Sequence, residues 1–362
     1  MQRSSLWWTT VTSGPSIKQD SRKSLIRSAL VIPVLRLAEG SDLHWPPTSI
    51  PLNPKNHEQA APAVIASLQG LVKLGETAVA SGGTTDIWRG AWGDNPVALK
   101  AFRIYPLQDL QEAKEILWNL VPTWKQLAHE NVLPFHGVDT SIFQLALVYE
   151  WGHNGTIMQY LESHPDASRP ELLLQVAKGL QYLHSRGIVH GNLKGANVLI
   201  SESGKVQICD YGLSPITSNS IAENLGVARS PRWLAPEIIG LPSEASSKSA
   251  DVFAFAMLAV EVFTGRTPFE DTNDDLVIAN QILDGKRPAK PQAGKQPGIT
   301  AKMWKFIKKC WNASPNKRPT IDEVVRTWEG FVNGDNNRSL TSVLNFWKRK
   351  VLMCRKWFCG LF

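Results

Sequence analysis

Residues 190–197 read His190-Gly191-Asn192-Leu193-Lys194-Gly195-Ala196-Asn197, and the apolar Val198-Leu199-Ile200 follows. Two amides and a lysine in one short loop can orient and neutralise an anionic reactant, but Asn192 cannot take a proton near neutral pH. Asp210 supplies hard carboxylate oxygens of the kind Mg²⁺ prefers. Lys100 ends the segment Val97-Ala98-Leu99-Lys100, where a compact cation on an extended strand suits phosphate oxygens. Gly82-Gly83 removes two Cβ atoms and lets backbone N–H groups approach an anion. Taken singly, each has a plainer reading: a solvent-facing strand-end lysine, or an ordinary Gly-Gly hairpin.

The elements that must position these residues are legible in the pattern. Val79 to Ala91 reads as a strand, a Gly-Gly turn and a second strand, and Pro96 to Phe102 as a third. Leu107 to Leu127 has helical spacing, with a break expected at Pro122. Gln144 to Glu150 is a strand that leads into a loop. Arg169 to Arg186 is a helix with Leu172, Val176, Leu180 and Leu183 on one face. Helical patterns dominate beyond it. A strand-rich piece before a helix-rich piece predicts an α+β fold of two lobes, with a small β-rich N-lobe over about 71–150 and a larger helical C-lobe over about 151–332.

The flanks differ in composition. Residues 1–70 are Ser-rich and acid-poor, then Pro-rich from Trp45 to Pro62, which suits a disordered or loosely ordered basic arm. An organelle transit peptide would share that composition. The chain carries a formal charge of +7, with much of the excess at its two ends and no nucleic-acid motif, so no nucleic-acid partner is expected. Cys209, Cys310, Cys354 and Cys359 make neither a disulfide framework nor a metal-spaced cluster. No apolar run reaches the roughly 18 residues of a membrane span, and a cytoplasmic location follows as the simplest expectation.

Several motifs in order carry a resemblance. Val97-Ala98-Leu99-Lys100, the 190–197 run, Cys209-Asp210-Tyr211-Gly212, Ala235-Pro236-Glu237, Asp251-Val252-Phe253-Ala254-Phe255 and Lys317-Arg318-Pro319-Thr320 resemble the protein kinase superfamily, and most closely the tyrosine-kinase-like group of serine/threonine kinases. The resemblance implies ATP and Mg²⁺ as cofactors and a protein as partner or substrate. Lys100 would reach the α- and β-phosphates, Lys194 the γ-phosphate, and Asn197 and Asp210 the metal. Gly82 and Gly83 fall in the loop over the phosphates, with Ala80 and Thr85 in place of its outer glycines. Backbone groups of Glu150 and Gly152 would meet adenine, with Tyr149 at the back of the pocket. Glu237 and Arg318 would form a buried ion pair.

The family also implies a Glu on the helix after Lys100, held against that lysine. Counting back from His129-Glu130-Asn131 reaches Leu120, counting forward allows Glu115, and Glu112 is a third candidate; Glu115 is the slight preference. Asn192 stands where the family has its base, Asp, and Gly191 where it has Arg. The pattern thus implies a pseudokinase that binds Mg-ATP with impaired phosphotransfer. The alternatives are a weakly or conditionally active serine/threonine kinase and a nucleotide-free interaction module. Residues 333–362 form a basic amphipathic tail that interleaves cations with Trp347, Leu352, Trp357 and Phe358 and ends loosely as Cys-a-a-X at Cys359. Membrane-surface contact through this tail competes with simple packing on the large lobe.

Overall fold

A computed structural model describes residues 67–82, 85–103, 107–213, 230–240, 246–291 and 299–334. The side chains of 107–109 are excepted. The arm before residue 67, Gly83, Ser214 to Ser220 and the tail beyond 334 lie outside the described residues.

The N-terminal half of the fold is one antiparallel sheet. Its strands are β1 (Leu71–Leu74), β2 (Ala80–Ser81), β3 (Thr85–Trp92), β4 (Asn95–Phe102), β5 (Phe135–Asp139) and β6 (Ala146–Glu150). They lie in the order β1-β3-β4-β6-β5, with β2 paired to β3. Register sets Lys100 opposite Ile87 on one side and Leu147 on the other. Gly90 lets β1 come close, since a Cβ there would stand 2.8 Å from the Val72 carbonyl. Neither β1 nor β5 follows from strand patterning in the sequence. β1 alternates half-buried and exposed positions over only four residues, and β5 carries Gly137 at an irregularity in its pairing with β6.

Helix α1 (Leu107–Trp124) continues through Pro122, contrary to the break expected there. Proline removes one N–H bond a single turn back. The helix ends two residues later, so the lost bond falls in its last turn, and Lys125 N–H still bonds the Val121 carbonyl at 3.0 Å. Trp124, the final helical residue, is buried.

The second half is mainly helical. α2 (Ile157–Ser163) opens with a reciprocal cap between Thr156 and Gln159. α3 (Arg169–Ser185) is capped by Ser168, and Leu172, Val176, Leu180 and Leu183 are all buried, as their spacing predicts. A hairpin of β7 (Val198–Ile200) and β8 (Val206–Ile208) follows. Then come α4 (Pro236–Gly240), α5 (Lys248–Thr264), α6 (Asp275–Leu283), α7 (Ala301–Cys310) and α8 (321–334). α5 is buried on every face from Ala250 to Val262, which marks it as the central post of this region. Cys209 and Cys310 are buried free thiols, and no helix is long and apolar enough to cross a membrane among the described residues.

Glu237 and Arg318 are joined in a two-pronged pair at 2.6 and 2.7 Å. The Arg318 guanidinium also donates to the Asn312 and Ser249 carbonyls and lies over the Phe253 ring. Glu237→Ala strands that buried cation. The expected loss is about 3–5 kcal/mol of unfolding free energy, read from denaturant titration. A loss below about 1 kcal/mol would show that the backbone carbonyls alone satisfy Arg318.

Candidate functional site

The loop that carries Asn192 is fixed from below by one carboxylate. Asp251, 1% exposed on α5, accepts the backbone N–H of His190 at 2.8 Å through Oδ2 and that of Gly191 at 2.8 Å through Oδ1. His184 Nε2, at the end of α3, donates to the same Oδ2 at 2.8 Å. Gly191 takes φ +74°, a backbone state that a side chain would strain. Asn192 N–H donates to His190 Nδ1 at 3.3 Å. His190 Nε2, the protonated nitrogen in that arrangement, is buried without a partner among the described residues. Burial lowers the His190 pKa and keeps the ring neutral.

The loop closes on itself through Asn197, whose Nδ2 donates to the Asn192 carbonyl at 2.7 Å. That contact spends the amide nitrogen and leaves the amide oxygen of Asn197 for another partner. Glu261, also on α5, accepts the Gly195 N–H at 3.0 Å and Trp233 Nε1 at 2.9 Å. A Cβ on Gly195 would stand 2.7 Å from Glu261 Oε1, so only glycine lets the loop approach α5 this closely. Burial pushes the Glu261 pKa up to about 7, against the opposing effects of these two donors and of Lys194. Burial also lowers the Lys194 pKa, and its ammonium feels Asp210 and Glu261 as attractions and Lys100 as a repulsion.

Across the cleft, Lys100 Nζ meets Asp210 Oδ2 at 2.5 Å, with both side chains largely buried. Asp210 sits at φ +60°, sparsely populated for a residue with a Cβ. The next residue, Tyr211, is buried and donates its hydroxyl to the Leu133 carbonyl at 3.3 Å. Trp124 stands edge-on to Tyr211 at 6.2 Å and to Phe135 at 5.5 Å, and Phe135 lies 5.3 Å from Tyr149. This aromatic column links α1, the sheet and the segment around Asp210. Tyr149 is fully enclosed, and burial pushes its hydroxyl pKa upward.

The structure does not bring the favoured helix carboxylate to Lys100. Glu115 is exposed and accepts from Gln111 one turn back at 3.0 Å. Glu112 enters no ion pair among the described residues, and Leu120 packs against the core. Nor is Lys100 left unpaired, as an apolar Leu120 at that place implies, because Asp210 takes the vacant role. Gly82 N–H bonds the Thr85 carbonyl at 2.8 Å, and Gly83 lies outside the described residues. At the lobe junction Trp151 N–H bonds the Pro96 carbonyl at 3.3 Å. Gly152 faces Leu199 of β7, 3.0 Å from where a Cβ would be.

Three contributors escape sequence reasoning. Arg103 donates to the Gly82 carbonyl and pairs with Asp86 at 3.5 Å, tying the glycine hairpin to the end of β4. His184 and Glu261 fix the loop from helices remote in sequence. Nothing in their local pattern separates them from a helix-terminal histidine and a surface glutamate.

The sequence profile of the protein tyrosine and serine/threonine kinase family matches residues 73–328. Arabidopsis thaliana serine/threonine-protein kinase STY17 is 29% identical over 271 residues, covering 73% of this chain and 45% of that protein. The same plant's serine/threonine-protein kinase CTR1 is 30% identical over 257 residues, covering 68% and 30%. The RGS domain-containing serine/threonine-protein kinase A of Dictyostelium discoideum is 28% identical over 272 residues, covering 72% and 23%. The matched stretch therefore spans less than half of each of these relatives.

Glu261 gives the site a pH signature. A carboxyl raised to about 7 in the folded state contributes stability that is fully present below its unfolded pKa and is lost as pH rises toward 7. Wild type should lose up to about 3 kcal/mol relative to Glu261→Gln between about pH 4.5 and 7, measured by parallel denaturant titrations. A pH-independent difference between the two would place the Glu261 carboxyl at its ordinary value.

Proposed function

Because the chain belongs to the protein tyrosine and serine/threonine kinase family, we propose that its cleft binds Mg-ATP and passes the γ-phosphate to a protein hydroxyl slowly, in the manner of a serine/threonine kinase that lacks its base. The observation that carries this reading is the set Lys100, Lys194, Asn197 and Asp210, retained around a loop that Asp251 and Glu261 hold in one conformation. The relatives' names, all serine/threonine kinases, point the same way.

The donor set fits a magnesium ion. Asp210 and the amide oxygen of Asn197 are hard oxygen ligands, and Asn197 Nδ2 is already spent on the Asn192 carbonyl. When bound, the ion would neutralise charge on the β- and γ-phosphates. Lys100 would exchange its bond to Asp210 for phosphate oxygens, which frees the carboxylate. Lys194, with its pKa lowered by burial yet still attracted by Asp210 and Glu261, would hold the γ-phosphate. Backbone groups of Glu150 and Gly152 would bind adenine, and Gly82 would cover the phosphates. Asn192 can orient the incoming hydroxyl through a hydrogen bond but cannot take its proton. Phosphoryl transfer rests mainly on positioning and charge neutralisation, so this loss slows the reaction without removing its other supports.

A second reading, a pseudokinase that binds nucleotide and signals through its shape, is favoured by the Lys100–Asp210 contact. Glu115 bonds Gln111 instead, and among the described residues no helix carboxylate pairs with Lys100 to hold it ready for phosphate.

Phosphotransfer from labelled ATP to a generic protein substrate separates the two. Wild type should show slow transfer that Lys100→Ala abolishes and Asn192→Asp raises by about 10²–10⁴. No transfer by wild type, with activity appearing only in Asn192→Asp, would establish the pseudokinase reading. Transfer by neither protein would sink the slow-kinase reading.

A further inference from the structure

Helix α7 carries Lys302, Lys305 and Lys309 along one exposed stripe, at spacings of three and four residues, with Lys308 on its flank. Its opposite face is anchored by Met303, Ile307 and Cys310, all buried. The stripe borders an open groove of about 730 Å³ lined by Phe306, Lys309, Asn316, Lys317 and Arg326, among others. None of Lys302, Lys305, Lys308, Lys309, Lys317 and Arg326 enters an ion pair among the described residues. The groove's carboxylate, Glu323, accepts the Thr320 backbone N–H at 2.8 Å and its hydroxyl at 3.2 Å, which commits it to capping α8.

This surface lies beside the point where the chain enters its basic tail. Phe306 of α7 lies 6.3 Å from Phe331 of α8, whose described residues run to Gly334. From Asp335 onward the sequence holds one acidic residue and six cations, Arg338, Lys348, Arg349, Lys350, Arg355 and Lys356. These alternate with bulky apolar residues such as Trp347, Trp357 and Phe358, the composition of segments that lie in a bilayer interface.

We propose that the α7 lysine stripe and its groove form a docking surface for anionic phospholipid headgroups, working with the tail to hold this lobe on a membrane. The division of labour follows from chemistry. The tail offers apolar residues for the interface, and α7 offers exposed cations that enter no ion pair among the described residues. Each adds attraction to an anionic leaflet, and two weak signals together give stable anchoring where one gives only marginal binding. The stripe makes no use of the nucleotide cleft, so this inference stands whether or not phosphate is transferred. An acidic protein partner would need the same cations but no apolar tail, and the tail is what favours lipid.

Co-sedimentation of the full-length protein with phosphatidylcholine vesicles, with and without phosphatidylserine, tests it. Wild type should bind only the phosphatidylserine-containing vesicles. Combining Lys302→Gln, Lys305→Gln and Lys309→Gln should weaken that binding by about fivefold per lysine, roughly 100-fold in all. Its melting temperature should not move, because no ion pair is lost; Lys205→Gln, a cation elsewhere, should bind as wild type. If the triple variant proves unstable, a salt titration of wild type decides instead. Steep weakening with salt supports the proposal, and salt-insensitive binding overturns it. Undiminished binding by a folded triple variant would also overturn it, as would binding to polyglutamate but not to phosphatidylserine vesicles.

Discussion

The site depends on the buried carboxylate of Asp251. Its two oxygens receive two consecutive backbone N–H groups of the 190–197 loop and the ring of His184. A buried ionised carboxylate is costly unless its lone pairs are filled, and here three donors fill them. The constraint runs in both directions. The loop satisfies Asp251, and Asp251 fixes the loop on a helix that is buried on all sides from Ala250 to Val262. Glu261, ten residues along the same helix, repeats the device at Gly195, but at greater cost, since its carboxyl holds its proton until about pH 7.

Above this base, the charges of the cleft settle with whatever partners the sequence leaves them. Among the described residues Lys100 pairs with no helix carboxylate: Leu120 packs against the core and Glu115 is exposed. It therefore bonds Asp210 directly. The contact is not a defect of folding; it neutralises two groups that would otherwise be desolvated alone. In the proposed function, nucleotide and metal would have to compete with it. There, the amide at Asn192 and the closure of Lys100 on Asp210 would act on different steps, one on proton removal and the other on binding.

Much of this was legible in the sequence. Residues that carry the family resemblance by type and order (Lys100, Asp210, Asn197, the Glu237–Arg318 pair) stand out in the sequence, and the structure brings Lys100 to Asp210 and Glu237 to Arg318. The helix α3 followed from its apolar spacing. Pro122 misled because its cost depends on how near the helix end falls, which is decided by the packing of Trp124. The partner of Lys100 was not legible either: counting from either side gives a different residue, and the choice rests on the rotation of α1. His184, Glu261 and Arg103 were missed since their roles arise from contacts across 67, 66 and 21 residues of chain.

The central claim, that the cleft still accepts Mg-ATP, is tested most directly by calorimetric titration of ATP with and without Mg²⁺ into wild type and Lys100→Ala. The account expects saturable binding by wild type that strengthens with Mg²⁺ and weakens at least tenfold in Lys100→Ala, about 1.4 kcal/mol. No heat of binding in wild type at millimolar ATP, or identical titrations for the two proteins, would contradict it.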